Sequence, residues 1–109
     1  MGGKESQIVK IGAIELDFSR GEIRRDGAPV AIEPQVFTLI AYLAKHPGQV
    51  LSRDDLIEAV WDGRIVSDSA ISSRINSARK ALGDDGKRQE VIRTVSRRGF
   101  LFVPAPGLA

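Results

Sequence analysis

Three stretches with helical spacing of apolar residues, separated by strong stop signals, occupy residues 34–82 and restrict the fold more than any other feature. The first begins at Pro34, because proline suits a first helical turn, and runs to His46, where Pro47 and Gly48 stop it. We predict a helix in the core of the domain. Its buried stripe is expected to contain Val36, Phe37, Leu39, Ile40, Leu43 and Ala44.

The second helical stretch is short and has clear signals at both ends. Ser52 followed by Asp55 resembles a capping box, which predicts a helix that starts at Arg53. We expect it to end at Trp61, because an Asp-Gly pair follows directly. Its apolar side is expected to contain Leu56, Ile57, Val60 and Trp61.

The third helical stretch has the most regular spacing. We predict that Asp68 caps it, that it continues to Leu82, and that Gly83 ends it in the left-handed conformation. At about 100° per residue, four apolar positions fall within a narrow sector and must face the core. These positions are Ile71, Ile75, Ala78 and Leu82.

The opposite side of this third helix carries small hydrogen-bonding side chains and no acid from Ser69 to Gly83. Serine and asparagine have poorer helix propensity than the residues that ordinary exposed faces prefer. Such a side can enter a DNA major groove closely, where Asn pairs with adenine and Lys or Arg with guanine. The alternative is a solvated polar face without function. The outer residues are Ser69, Ser73, Asn76 and Lys80, with Ser72 and Ser77 beside them and Arg74 and Arg79 at the two edges.

Short strands are predicted on both sides of the three helices. Residues 8–32 alternate apolar and polar side chains between turn signals, which predicts an antiparallel meander with strands at 8–11, 14–18, 22–25 and 29–32. Ile14, Leu16 and Phe18 share one face, and that face must pack on the helices because an isolated thin sheet is only marginally stable.

A hairpin is predicted at the C-terminal end, with strands at residues 91–95 and 99–103. Two adjacent arginines, Arg97 and Arg98, lie at its tip. They either contact an anionic partner or serve as charges of a solvated turn. We expect Phe100 or Phe102 to anchor the hairpin on the core.

Basic residues are concentrated in the C-terminal part. Residues 1–66 hold eight basic and ten acidic side chains, whereas residues 67–109 hold eight basic and four acidic ones. This excess favours an anionic partner for the C-terminal part. Cysteine is absent, which excludes disulfides and thiolate metal sites, so we expect a reducing, cytoplasmic setting.

Support for an enzyme is poor. The single histidine, His46, is expected to interact with a helix end, and no second histidine is available for a metal or a proton relay. Two pairs of acids, at residues 54–55 and 84–85, are explained by capping and solvation. We therefore expect no enzymatic activity, no metal and no cofactor. No apolar run approaches the length of about 20 residues that crosses a bilayer, so no membrane contact by this chain is expected.

The chain is short enough to form one domain, with 109 residues of which 42% are hydrophobic. We predict a flexible N-terminus at 1–7, a folded domain at 8–103 and a tail or linker at 104–109.

The order of strands, three helices and hairpin resembles the OmpR/PhoB-type winged-helix DNA-binding domain, the transcriptional regulatory protein C-terminal family. The segments "PQVFTLIAYLAKHPGQVLSRDDLIEAVW", "INSARKALGDD" and "VIRTVSRRGFLFV" carry the resemblance. It implies an α+β fold, a winged helix-turn-helix with an N-terminal four-stranded antiparallel sheet, a three-helix core and a C-terminal hairpin, or wing. It also implies sequence-specific binding of double-stranded DNA as the output domain of a bacterial-type, two-component-like transcriptional regulator.

The resemblance further implies which residues contact DNA. The third helix, about residues 68–82, would occupy the major groove, and the wing, residues 91–103, the minor groove. Many members have arginines in place of Asn76 and Ser77, and Arg-Gly in place of Ser96 and Arg97, so the minor-groove arginine is here expected at Arg97 or Arg98. The implied DNA-binding residues are Trp61, Ser69, Ser73, Arg74, Asn76, Ser77, Arg79, Lys80, Thr94, Ser96, Arg97 and Arg98.

Expected partners are double-stranded DNA, RNA polymerase and a second copy of the domain in a tandem dimer on DNA. Response regulators of this type carry a receiver domain before the module, and there is no room for one ahead of Ile8. We therefore expect either a stand-alone binder or a fragment fused to a receiver, sensor, membrane or enzymatic segment. The alternative function is a winged-helix protein-interaction module without DNA binding, which would use the loop after the second helix or the N-terminal sheet.

Overall fold

The computed structural model describes residues 8–11 and 13–103, so the expected flexible N-terminus and tail lie outside the described residues. The described part has the α+β architecture predicted from the sequence, with four strands before the three helices and a hairpin after them. The elements are β1 (Ile8–Ile11), β2 (Ile14–Asp17), β3 (Glu22–Arg25), β4 (Ala28–Val30), α1 (Pro34–Ala44), β5 (Val50–Leu51), α2 (Arg53–Trp61), α3 (Asp68–Ala81), β6 (Ile92–Val95) and β7 (Gly99–Phe102).

Strands β1 to β4 form an antiparallel sheet in sequence order. Leu16 and Ile23 are directly paired and fully buried, because the alternating pattern directs them onto the helices. Strand β4 begins and ends earlier than the predicted 29–32, since Asp26 and Gly27 both have positive φ and form a two-residue turn. Pairing therefore starts at Ala28, opposite Arg25.

Helix α1 supplies most of the core. Its predicted stripe is confirmed for Val36, Leu39, Ile40, Leu43 and Ala44, which are buried. Phe37 is half-buried and packs edge-on against Phe18, with 6.3 Å between the ring centroids. The helix ends at Ala44 instead of His46. Lys45 takes the C-cap position that was expected to involve His46, whose ring instead lies against Tyr42.

Helix α2 has the predicted bounds and the predicted capping box. The Ser52 hydroxyl accepts the Asp55 backbone N–H at 3.0 Å, and the Asp55 carboxylate accepts the Ser52 backbone N–H at 2.9 Å. Asp62 ends the helix in the left-handed conformation. The capping box fixes where α2 begins, directly after β5.

The N-cap of helix α3 lies one residue earlier than predicted. Ser67 is the N-cap, with its hydroxyl accepting the Ala70 backbone N–H at 3.2 Å, and Asp68 is the first helical residue. The prediction of Asp68 as the cap was wrong because both residue types cap helices and only the backbone decides between neighbours. Gly83 ends the helix with a positive φ as predicted. The four predicted core positions of α3 are all buried.

The C-terminal hairpin belongs to a three-stranded sheet with the order β5-β7-β6. Strand β5 was not predicted, since two residues have no recognisable pattern. It pairs Leu51 with Phe100 across the chain. Gly99 permits this contact, because a Cβ at Gly99 would lie 2.0 Å from the Leu51 carbonyl oxygen. Phe102 is buried in the core as the predicted anchor, and Phe100 is half-buried against it. Within residues 8–11 and 13–103 no helix is long and apolar enough to span a bilayer.

Candidate nucleic-acid interface

The outer side of α3 is an open surface of mostly small polar side chains, which we call the α3 ridge. Its residues are exposed, so their polar atoms are accessible along the length of the helix. The Ser69 hydroxyl lies 3.3 Å from the Ser67 hydroxyl at the helix start. The α3 ridge consists of Ser69, Ser72, Ser73, Asn76, Ser77 and Lys80.

Arg74 lies at one edge of the α3 ridge. It is half-buried, and its Nε donates a hydrogen bond of 2.8 Å to the Gln35 side-chain oxygen in the first turn of α1. This bond holds the guanidinium at the boundary between the ridge and the rest of the domain. Arg74 is therefore held at this edge of the α3 ridge by the first turn of α1.

Arg79 lies at the other edge in sequence terms, but the structure places it in the interior, with 5% of its surface exposed. Its Nε donates to the Ile92 carbonyl oxygen at 3.0 Å, and one terminal nitrogen donates to the Thr94 hydroxyl at 2.8 Å. The other terminal nitrogen lies 3.5 Å from the Asn76 side-chain oxygen. Arg79 was expected on the DNA-facing surface, but the structure buries it. A helical wheel cannot detect this, because the partners come from β6.

Asp84 follows directly after α3 and is also buried. Its carboxylate accepts backbone N–H groups of Glu90, Val91 and Ile92 at 2.9, 2.9 and 3.1 Å. Burial raises the pKa of Asp84, but these hydrogen bonds outweigh burial and hold the pKa below its ordinary value. Burial lowers the pKa of Arg79, while the charges of Asp84 and Asp85 oppose that change. The acid pair was predicted to be solvated, which is wrong for Asp84.

The wing tip, residues 96–98, joins β6 to β7. Ser96, Arg97 and Arg98 are exposed, and the Arg98 backbone N–H donates to the Val95 carbonyl oxygen at 2.9 Å. Arg97 has a φ of +64°, in the left-handed region that favours glycine. The structure therefore keeps a large cationic side chain at a position where glycine would be easier.

The α3 ridge and the wing tip border one cleft. Ser72 and Asp68 of α3 face Arg97 and Arg98 across it. The Asp68 carboxylate, which brings a negative charge to this surface, lies 2.7 Å from Nε of Arg53 at the start of α2. Polar groups thus continue from the first turns of α3 to the basic wing tip, and Asp54 of α2 lines the same cleft as a second acid.

Trp61 lies at the end of α2, half-buried and packed against the core. This position agrees with its expected place on the apolar side of α2. Two further residues of the site were not predicted from the sequence. Arg53 pairs with Asp68, and Asp84 accepts backbone N–H groups at the start of β6. Their neighbours are distant in sequence or joined through backbone atoms, so no local pattern indicates either role.

Residues 27–102 match the model of the family described as "Transcriptional regulatory protein, C terminal". This chain belongs to that family. Its members are OmpR/PhoB-type winged-helix DNA-binding domains, so the chain is a DNA-binding output domain of a transcriptional regulator. The family is one of DNA-binding regulatory domains and is not an enzyme family.

Three relatives of the family illustrate the similarity. The chain is 36% identical to the transcriptional activator CadC of Escherichia coli over 102 residues, which are 92% of this chain and 20% of CadC. The DNA-binding domain of CpxR from E. coli is 34% identical, with a TM-score of 0.76 over 92% of this chain and 99% of that domain. The DNA-binding domain of RstA from Klebsiella pneumoniae, solved in complex with the RstA box, is 28% identical with a TM-score of 0.79, over 90% and 98% of the two chains.

The chain spans only part of the curated relatives that it matches. It covers a fifth of CadC and 42% of the phosphate regulon regulator PhoB of Rhizobium meliloti. The similarity therefore concerns the DNA-binding module and not the remaining parts of those proteins.

Proposed function

We propose that this domain binds double-stranded DNA sequence-specifically, with α3 in the major groove and the wing tip in the adjacent minor groove. The observation that carries the proposal is the continuity of the α3 ridge with the wing tip around one cleft. The DNA-binding domain of RstA, which has a similar fold, was solved in complex with the RstA box, and this supports DNA binding by the present chain.

The α3 ridge would supply the base contacts. Ser73, Asn76 and Ser77 are short, so the helix can approach the base edges closely. Because an arginine can only donate hydrogen bonds, the Asn76 oxygen faces Arg79 and the amide N–H group is left for the DNA. We therefore expect Asn76 to favour base acceptors, such as guanine or thymine O atoms, over the bidentate pairing with adenine that the sequence suggested.

Phosphate contacts would surround these base contacts. Ser69 lies in the first turn of α3, where free N–H groups and the helix dipole favour an anion. Lys80 is exposed at the far end of the ridge, and Arg74 lies at its edge. Trp61 at the core rim is a further candidate through its indole N–H.

The wing tip would supply the minor-groove contact. Arginines are attracted to narrow, A·T-rich minor grooves, where the negative potential is strongest. The exposed Arg97 and Arg98 lie at the tip, next to Ser96, which is too short to reach into a groove alone. Target preference would then come partly from the shape of the minor groove.

A matched pair of double variants tests the proposal. Arg97→Ala with Arg98→Ala should lower affinity for a duplex selected by the unmodified chain by about tenfold. The slope of the logarithm of the binding constant against the logarithm of the salt concentration should become less steep by up to about two. Lys10→Ala with Arg20→Ala removes the same charge from exposed side chains of the N-terminal sheet and its turn, and should change both much less. Equal effects of the two double variants would contradict the docking, and no salt-dependent binding by the unmodified chain would favour the protein-interaction alternative.

Protein partners would use a different surface. Ile65 is fully exposed in the loop between α2 and α3, and we propose this loop as the contact for a protein such as RNA polymerase. Ile65→Ser should then weaken binding of purified RNA polymerase to the domain–DNA complex without changing DNA affinity.

Binding as a tandem dimer predicts cooperative occupancy of two adjacent sites on one duplex. A DNA-binding role would place the domain in the cytoplasm.

A further inference from the structure

Two buried charged side chains join the end of α3 to the beginning of the wing. We call Arg79 and Asp84 together the wing clamp. Arg79 belongs to the last turns of α3, and Asp84 follows the helix by three residues. Both direct their polar atoms to the segment 90–94, which leads into and forms β6.

The wing clamp makes five hydrogen bonds to that segment. Asp84 accepts three successive backbone N–H groups, from Glu90, Val91 and Ile92. Arg79 donates to the Ile92 carbonyl oxygen and the Thr94 hydroxyl. Both oxygens of Asp84 and two of the three guanidinium nitrogens of Arg79 thus bond to this segment, and no buried side-chain N or O of the described residues lacks a partner.

The backbone turn after α3 holds the two charges in a fixed arrangement. Gly83 has a φ of +74°, and the Asp84 backbone N–H donates to the Arg79 carbonyl oxygen at 2.7 Å. The Gly83 N–H donates to the Lys80 carbonyl oxygen at 3.1 Å, which completes a Schellman motif. The backbones of Arg79 and Asp84 are therefore joined directly at the end of α3.

A shift of the wing against α3 would break these bonds. Separating a buried charge from its hydrogen-bond partners is expensive, because the buried group then loses its compensation. The wing clamp thus favours one geometry, in which the α3 ridge and the wing tip are held at one distance and angle. If α3 and the wing enter neighbouring grooves at the same time, such rigidity favours binding, because less conformational entropy is lost on binding.

We propose that the wing clamp is a positioning device, in which Arg79 and Asp84 set the spacing between the α3 ridge and the wing tip without contacting DNA. This inference rests on the proposed DNA-binding function. It assigns Arg79 a role different from the DNA contact that its place in the sequence suggested.

A double-mutant cycle between Arg79 and the wing tip tests the proposal, using the whole chain and a duplex selected by it. With the clamp intact, Arg97→Ala and Arg98→Ala should weaken binding strongly. In the Arg79→Met background the same two substitutions should weaken binding less, because the tip is no longer held at its groove. The fold-loss in affinity should be smaller than in the unmodified background by a factor of at least about three. Arg79→Lys keeps the charge but lacks the separate nitrogens by which the guanidinium reaches the Ile92 carbonyl and the Thr94 hydroxyl, so it should give an intermediate coupling.

A merely structural role and a direct contact both predict another result. If Arg79 contacted DNA itself, or only stabilised the fold, Arg79→Met would lower affinity by the same factor with and without the tip arginines. Such additivity overturns the positioning role. The control cycle of Arg79→Met with Lys10→Ala and Arg20→Ala should be additive in every case.

Thr94→Val provides a second cycle in case Arg79→Met does not fold. It removes only the hydroxyl that accepts from Arg79, at an exposed and nearly isosteric position, and should show a smaller coupling to the tip of the same sign. Additivity here again contradicts the proposal. Absence of binding by the unmodified chain would overturn the proposed function itself, whereas binding with additive cycles would overturn the wing clamp alone.

Discussion

The two ends of the wing are held in different ways. At its base, Ile92 and Thr94 are fixed by charged side chains that are themselves buried. At its tip, Arg97 and Arg98 are exposed, and support comes from the close approach of Gly99 to the backbone of β5. One end uses its charges inside the protein, and the other leaves them accessible.

Basic residues of the same part of the chain are therefore not equivalent. Arg79 and Arg97 contribute equally to the basic character of the C-terminal part, yet only the exposed one is available to a partner. Counting charges predicts an anionic partner correctly in kind, but it overstates how many charges meet that partner. The following changes separate the two ends of the wing.

The largest effect is expected where the tip rests on β5. Gly99→Ala would place a Cβ 2.0 Å from the Leu51 carbonyl oxygen, at a φ of +145°, so β5 and β7 must separate. We expect a loss of more than about 3 kcal/mol in the free energy of unfolding, measured by urea denaturation. Gly27→Ala, also at positive φ but in open space, should cost only about 1 kcal/mol. Equal losses would show that β5 does not support the wing.

At the base, Asp84→Asn should destabilise the fold by about 2 kcal/mol, because the amide can accept from the segment 90–92 with one oxygen only. Glu90→Gln, the same chemical change at an exposed carboxylate, is the control and should have little effect. The free energies of unfolding of both variants can be compared at neutral pH. A stable Asp84→Asn variant would mean that the base does not depend on its buried charge.

The base should also respond to acid, and the tip should not. The folded-state pKa of Asp84 is lowered, so the unfolded chain binds a proton first as the pH falls below about 4. The stabilisation from Asp84 is complete above that pH and is lost as the pH falls through the folded-state pKa. Asp84→Asn should therefore show a shallower loss of stability between pH 5 and pH 2 in urea titrations than the unmodified chain. Parallel curves would contradict the assignment.

The smallest effect on stability is expected at the tip, and it has the opposite sign. Arg97→Gly relieves a left-handed arginine and should raise the free energy of unfolding by up to about 1 kcal/mol, while DNA affinity falls. Arg98→Gly removes the same charge without that relief and should not stabilise the protein. A destabilised Arg97→Gly variant would indicate that the arginine has a structural role.

Much of the fold follows from local signals. The caps and stop signals of α1 and α2, and the stripe of α3, lie within a few residues of the positions they control, so the sequence predicts these helices closely. Strand β5 could not be predicted, since Val50 and Leu51 become a strand only by pairing with β7. Its existence depends on a partner that local reasoning cannot place.

The candidate site divides in the same manner. Ser73, Asn76 and Ser77 are exposed because their helix positions point away from the core, which a helical wheel predicts. The wheel also places Arg79 at an edge of the helix, where burial is decided by whatever lies beside it. Strand β6 lies there and supplies acceptors for the guanidinium. Edge positions thus need the tertiary structure, whereas central positions do not.

The pairing of β5 with β7 has a consequence for how the domain is made. Val50 and Leu101 are about 50 residues apart in sequence, so this contact closes a long loop and belongs to the slower steps of folding. During synthesis α1, α2 and α3 emerge first and can form before the segment 99–102 leaves the ribosome. The strand that locates the wing is completed last, so a chain interrupted before Gly99 would carry a recognition helix without a seated wing.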